Sequence, residues 1–376
     1  MTTLQATLSE LHDRLAADRP LAQDLTLAEL EVLLAELGQP RYRARQVFHW
    51  LHGRLATCWE QMSDLPAALR RELAERLGAV AGEVVADQRA ADGTRKLLLR
   101  LRDGQQIETV GIPARDGRLT VCVSTQAGCA LGCGFCATGE MGLARNLSAG
   151  EIVSQVYQFA TPHARPEERG VSNVVYMGMG EPLHNYAATL KSVRLLADPL
   201  GMGMSERRIT ISTSGLAPRM RQLAHEGLHV RLAVSLHAPN DAIRSSIMPI
   251  NRRYPLAEVL AAAREYAAET DRRVSFEYVM LGGVNDAPEH AAELARVLRT
   301  ALPPALLHVN LIPYNPTAAG FASSSAASIR QFADVLRANG VRVTVRASRG
   351  RDIAAACGQL KTETNRANRS TIAALG

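Results

Sequence analysis

The stretch "LTVCVSTQAGCALGCGFCATG", residues 119–139, starts as an apolar strand and ends in a loop that gathers Cys129, Cys133 and Cys136. Iron–sulfur clusters take their thiolates from tight loops, and Gly128, Gly132 and Gly134 let this backbone wrap closely. Three cysteines are one short of the four that a structural zinc or a plain electron-carrying cluster takes. On a four-iron cluster, three thiolates leave one iron open. An open position marks a metal that binds substrate rather than one that only holds a fold. A zinc knuckle borrowing its fourth ligand from Cys122 or a distant histidine is the competing reading.

Beyond this loop, short apolar runs alternate with helical periods. Strands are expected at 119–125, 173–178, 208–213, 230–236, 273–280, 308–313 and 341–346, with helical segments between them. The first of these segments opens with Ser148 and Glu151 in capping-box spacing. Six β-then-α units force parallel pairing through right-handed crossovers. Six is short of the eight that close a full barrel, so the expectation is an α/β fold built on a partial (β/α)6 barrel. Active sites on such folds lie at the carboxyl ends of the strands, and the cysteine loop directly follows the first one.

Upstream, helices are expected over 25–38, 41–55 and 65–78, the second presenting Val47, Trp50 and Leu51 on one side. Arg41, Arg43 and Arg45 cluster at its entrance, either as a solvated helix start or as phosphate contacts. From 80 to 113 the pattern changes to alternation with an Asp-Gly turn, which predicts a small antiparallel unit. The expected organisation is a helical accessory domain over 1–80 and a β linker over 81–117. The partial barrel follows over 118–360, with a tail over 361–376.

The 376 residues carry a net charge of +6, a mild bias toward polyanions. No apolar run approaches the roughly 20 residues of a membrane helix. The first residues alternate charged and apolar side chains, unlike a secretory leader. A cytoplasmic chain without a membrane partner is therefore expected. In a reducing compartment its six cysteines read as ligands, reactive thiols or buried residues rather than a disulfide framework.

Further polar stretches close the later strands: "YMGMGEP" (176–182), "STSG" (212–215), "SLHAPND" (235–241) and "PYNP" (313–316). Gly180 allows close backbone approach, and Glu181 can accept hydrogen bonds from an ammonium group. With C-x-x-x-C-x-x-C after the first strand, this set resembles the radical S-adenosylmethionine superfamily. The resemblance implies a [4Fe-4S] cluster on Cys129, Cys133 and Cys136, its open iron chelated by S-adenosylmethionine. It also implies that Gly180, Glu181, Ser212, Ser235, Leu236, His237 and Asn315 contact S-adenosylmethionine, and that one electron from the cluster cleaves it to a 5'-deoxyadenosyl radical.

Two more cysteines narrow the family: Cys122 in the first strand, and Cys357 in "SRGRDIAAACGQL" (348–360). The whole set, with "RNLSAGEIV", "EYVMLGGVND", "NLIPYNP" and the front segment "PRYRARQVFHWLH", closely resembles the adenosine methyltransferase family comprising RlmN and Cfr. The resemblance implies that Cys357 takes a methyl group from one S-adenosylmethionine, and that a second molecule generates the radical that activates it. Cys122 then resolves the covalent RNA adduct through a transient disulfide with Cys357. Glu108, in "IETVGIP", matches the proposed proton acceptor. Gly111 departs from the family pattern, where a bulkier residue is expected.

The implied partners are 23S ribosomal RNA, transfer RNA and a flavodoxin-type or similar reductant, with the chain acting as a monomer. The local motifs do not separate methylation at adenine C2 from methylation at C8. C2 is expected because housekeeping members are commoner. From another class, the alternative is a zinc-stabilised RNA-binding module with no catalysis.

Overall fold

The computed structural model describes residues 19–79, 81–163, 170–318 and 320–362. The first part of the accessory domain and the tail from 363 onward lie outside the described residues.

The front helices are α1 (Leu27–Glu36), α2 (Tyr42–Phe48) and α3 (Ala67–Arg76). Thr26 and Glu29 form a capping box at the start of α1, and Leu30, Leu33 and Leu34 bury its inner stripe. Gly38, at φ +65°, follows its end. The expected single helix over 41–55 is instead α2 followed by a π turn over His49–Gly53, where the Arg54 N–H reaches back to the His49 carbonyl at 2.7 Å. A side chain at Gly53 would collide with the His49 ring. Val47, Trp50 and Leu51 are buried as expected.

The sheet begins with β1 (Gly82–Arg89), β2 (Arg95–Leu101) and β3 (Gln106–Pro113), paired antiparallel. β4 (Leu119–Cys122) adds antiparallel to β3. β5 (Gln126–Cys129) and β6 (Gly142–Asn146) form a separate two-stranded ribbon whose connection carries the cysteine loop. The parallel series continues from β4 through β7 (Val171–Tyr176), β8 (Ile209–Thr213), β9 (Arg231–Ser235), β10 (Val274–Gly282) and β11 (Leu307–Pro313). A two-residue β12 (Ala322–Ser323) pairs with the end of β10, and β13 (Val343–Val345) closes the far edge beside β11. The order is β1-β2-β3-β4-β7-β8-β9-β10-β11-β13, an open sheet and hence a partial barrel. The antiparallel unit is thus hydrogen-bonded into the barrel sheet, and the expected boundary near 118 is a change of strand direction.

Helices α4 (Ala149–Tyr157), α5 (Tyr186–Ala197), α6 (Ala217–Ala224), α7 (Asp241–Ile247), α8 (Leu256–Thr270), α9 (Pro288–Ala301) and α10 (Ala326–Ala338) fill the crossovers. The Ser148–Glu151 capping box is present at α4; such caps are worth about 1 kcal/mol. Phe159, just past α4, explains the departure at Gly111: a Cβ there would lie 2.5 Å from its ring.

The front helices share one apolar core with this scaffold and are further tied to it by polar contacts. Asp24 accepts the Gly150 N–H at 2.7 Å, Lys191 pairs with Glu29 at 2.6 Å, and the His52 ring bonds the Tyr157 hydroxyl at 2.7 Å. Among the described residues no helix is long and apolar enough to cross a membrane.

Candidate active site

A cavity of about 410 Å³ opens at the carboxyl ends of the parallel strands. The three cysteines of the loop form one wall. Gly128 must be glycine, because its φ is +83° and a Cβ would collide with the Gly142 carbonyl across the ribbon. The Gly134 N–H bonds to the Ile247 carbonyl at 2.9 Å, and the Cys136 N–H turns back to Cys133 at 3.1 Å. Burial pushes the Cys129 thiol up to about 12 and Cys133 well above the usual thiol range, and the neighbouring cysteines add to both shifts. Arg244 supplies only a partial offset at Cys133. Soft, half-buried donors crowded with little protein counter-charge fit a cationic iron–sulfur group, which would deprotonate them. Among the described residues no group of three or more His, Cys, Asp or Glu side chains is arranged to hold a single metal ion.

Gly180 and Glu181 lie just past β7 on the next wall. Gly180 has φ +95°, and a Cβ would come 2.5 Å from the Gln126 side chain. That glutamine bonds the Glu181 N–H at 2.8 Å through Oε1 and donates to Asn146 at 2.7 Å. Glu181 accepts the Leu183 N–H at 3.0 Å and the Ser214 N–H at 2.8 Å, one on each carboxylate oxygen. Burial raises its pKa, against the pull of these donors. The carboxylate is therefore fixed in orientation while keeping lone pairs for a cationic ligand.

Ser212, Ser235, His237 and Asn315 complete the rim. Burial depresses His237 to about 3, so its ring is neutral. Its Nδ1 accepts the Val279 N–H at 3.0 Å, which leaves the proton on Nε2. The residue sits at φ +60°, and the Phe135 ring meets it edge-on at 4.8 Å. The Asn315 amide donates to the Cys357 carbonyl at 3.3 Å, while its Oδ1 is buried without a partner. A buried acceptor left open at a cavity wall fits a polar ligand such as S-adenosylmethionine. Leu236 does not reach the wall; its backbone N–H bonds Glu277 at 3.1 Å.

Cys122 and Cys357 both line this same cavity, and all six cysteines are free thiols. Burial lifts Cys122 to about 12, and the nearby Cys357 adds to the shift. The Cys357 thiol opens into the cavity, yet the surrounding protein lifts it to about 11 against the pull of Arg346. Arg346 lies 3.4 Å from Glu277.

Cys357 rides on a strap that leaves β13 and crosses the mouth of the barrel. The Gly350 N–H bonds Asp92 at 3.1 Å and the Ala91 N–H bonds Asp352 at 3.0 Å, pinning the strap to the β1–β2 turn. On the other side the Ala137 N–H bonds the Gly358 carbonyl at 2.8 Å, and Thr138 donates to Leu360 at 2.6 Å. Glu108 is not on the cavity wall. Its carboxylate is buried, 2.8 Å from Lys96 and accepting the Lys361 N–H at 2.8 Å. Burial raises its pKa although Lys96 opposes the shift. The sequence reading missed Gln126, Arg346 and Lys96, which carry no spacing signal.

A family model described as the radical SAM superfamily matches residues 123–295, and one described as the ribosomal RNA large subunit methyltransferase N-terminal domain matches 22–78. The chain is 51% identical over 358 residues to the dual-specificity RNA methyltransferase RlmN of Anaeromyxobacter dehalogenans, covering 94% of each chain. It is also 51% identical to the probable dual-specificity RNA methyltransferase RlmN of Gemmatimonas aurantiaca, over 90% of this chain and 91% of the other. Among solved structures, a radical SAM methyltransferase from Sphaerobacter thermophilus is 55% identical with a TM-score of 0.86, covering 91% of this chain and 99% of that one.

Proposed function

The chain belongs to the RlmN family of radical S-adenosylmethionine RNA methyltransferases, and from that premise we propose that it methylates carbon 2 of an adenosine in 23S ribosomal RNA, and of the adenosine 3' of the anticodon in some transfer RNAs, through a methylated Cys357. The observation that carries this reading is the presence of Cys122 and Cys357, far apart in sequence, on the walls of the cavity that also holds the cysteine triplet.

The family's radical chemistry uses a four-iron cluster and S-adenosylmethionine. In this chain Cys129, Cys133 and Cys136 would hold the cluster, one per chain. Gly180, Glu181, Ser212, Ser235, His237 and Asn315 would hold S-adenosylmethionine; Leu236, expected among them, lies off the wall with its N–H on Glu277 and its carbonyl on Arg244. When bound, these groups supply a transferable methyl group and hydrogen-atom abstraction at a shielded site.

Carbon 2 of adenine is electron-poor and does not attack a sulfonium, so the protein must first take the methyl group itself. Cys357 Sγ is the nucleophile for that transfer and the carrier of the carbon toward the base. Once the carbon is joined to the ring, the ring proton must leave; Glu108 matches the family's acceptor for it, and from its place off the wall it reaches the base only by releasing Lys96 or the Lys361 N–H. Cys122 Sγ, as thiolate, then attacks Cys357 Sγ, forming a disulfide; the sulfur–carbon bond breaks with its electron pair going to the ring-bound carbon, which takes up a proton to become the methyl group. An external reductant, of flavodoxin type or similar, supplies the electrons for the next cycle. The target base must leave its stack to enter the cavity, which favours loops and single strands. Arg41 at the start of α2 and Arg45 in its last turn are exposed and suit contact with RNA phosphates, although Arg41 already pairs with Glu31 at 2.9 Å.

The deciding measurement is nucleoside mass spectrometry of RNA treated with reconstituted, reduced enzyme. The expected product is 2-methyladenosine. Production of 8-methyladenosine in its place would overturn the assignment.

A further inference from the structure

Lys96 on β2 and Glu108 on β3 are diagonal neighbours on one face of the sheet, because Lys96 pairs with Val110 and Leu98 with Glu108. Their charged ends meet at 2.8 Å with only 10% and 6% of the side chains exposed. A buried ion pair is a weak source of stability, since two apolar side chains of similar volume often serve as well. What distinguishes this pair is the backbone it touches. Lys96 Nζ also reaches the Ala354 carbonyl at 3.4 Å, and the second Glu108 oxygen accepts the Lys361 N–H at 2.8 Å. Ala354 and Lys361 bracket Cys357. Ala354 is itself held at φ +49°, a left-handed conformation that an L side chain keeps only when its surroundings enforce it.

We propose that Lys96 is a positioning residue for the methyl carrier: directly at Ala354, and through Glu108 at Lys361, it anchors the strap on both sides of Cys357 and holds the thiol at the cavity. The inference rests on the reading of Cys357 as the carrier. It assigns Glu108 a second task, anchoring, which precedes any proton transfer. The strap is also held at Gly350, Asp352, Gly358 and Leu360; the chemical logic is that loosening the segment on both sides of Cys357 lets the thiol sample more positions, whereas methyl transfer needs one aligned approach.

The test uses the full-length holoenzyme and its cluster-free form, comparing wild type with Lys96→Met and Lys96→Arg. In cluster-free protein, amide hydrogen exchange of the peptide spanning 354–362 reads the anchoring itself. In holoenzyme given S-adenosylmethionine without RNA, peptide mass spectrometry reads methyl loading of Cys357. Lys96→Met is expected to exchange at least tenfold faster across 354–362, with the cysteine ribbon unchanged, and to load Cys357 at least tenfold more slowly. Lys96→Arg is expected to restore both in part. Wild-type exchange and loading in Lys96→Met would overturn the proposal.

If Lys96→Met does not fold, the double variant Lys96→Met/Glu108→Leu removes both charges and keeps the packing. It is expected to fold with the same fast exchange and slow loading, and wild-type values in it would equally overturn the anchoring role. Absence of methyl loading in the wild-type enzyme would sink the carrier reading instead. The exchange comparison would still decide the anchoring.

Discussion

Glu181 Oε2 accepts the backbone N–H of Ser214 at 2.8 Å, tying the turn after β7 to the turn after β8. The same carboxylate takes the Leu183 N–H on its other oxygen, so it cannot swing away from the cavity. Glu181→Ala is expected to weaken S-adenosylmethionine binding on the order of tenfold or more, the scale of a lost charged hydrogen bond. Equilibrium dialysis on reconstituted enzyme checks this, with unchanged iron content as the control.

Gly180→Ala introduces a Cβ at φ +95°, 2.5 Å from Gln126. The strain is expected to cost about 1–3 kcal/mol. Thermal unfolding reads the loss as a lower Tm, and the displaced Glu181 lowers cofactor affinity as well.

Cys122→Ala is expected to trap a covalent RNA–protein adduct, seen as a nuclease-sensitive shift on a denaturing gel. Cys357→Ala is expected to give none, because no carrier thiol remains. Normal turnover by both variants would refute the two-thiol scheme.

Replacing any one of Cys129, Cys133 or Cys136 with alanine is expected to abolish the brown colour and most bound iron after anaerobic reconstitution. Iron and sulfide assays check this. Circular dichroism is expected to stay close to wild type, since the ribbon and sheet are hydrogen-bonded independently of the thiols.

His52 is fully buried, and burial depresses its pKa to about 3. A histidine with a lowered folded pKa binds its proton more readily when unfolded, so its contribution to stability falls as pH drops below about 6.5 and levels off near the folded value. Acid unfolding of the wild type is expected to steepen through that window. His52→Gln, which does not titrate, is expected to flatten the slope of Tm against pH while costing some stability at neutral pH through a weaker Tyr157 contact.

The barrel was legible because its signals are local. Strands such as Val274–Gly282 and Leu307–Pro313 are apolar runs flanked by helical periods, and they fall within a few residues of the expected bounds. The cysteine loop was legible through its spacing, Gly180, Glu181 and the two distant thiols only through the resemblance to a known family, and all of them reach one cavity. Glu108 was legible as a residue but not in its surroundings, because its partners lie on another strand and on a strap near the end of the chain. Gly111 reads as an anomaly in sequence and finds its reason beside Phe159, whose ring takes the space of a side chain there, a contact no periodicity encodes. The π turn was missed for a related reason: its residues keep helical composition, and the wider winding shows only in the structure, in the bond from the Arg54 N–H to the His49 carbonyl.

That π turn has a mechanical consequence. It carries one residue more than an α-helix would use over the same path, and each α-helical residue turns the chain by about 100°. The surplus residue sets the phase at which the front helices mesh with the barrel, since His49 grips the Leu200 carbonyl at 2.9 Å and His52 the Tyr157 hydroxyl at 2.7 Å. Deleting one residue between His49 and Gly53 would leave a better helix that faces the wrong way. The front helices and the barrel share one apolar core, so the misfit would be felt in both, like gears cut one tooth apart.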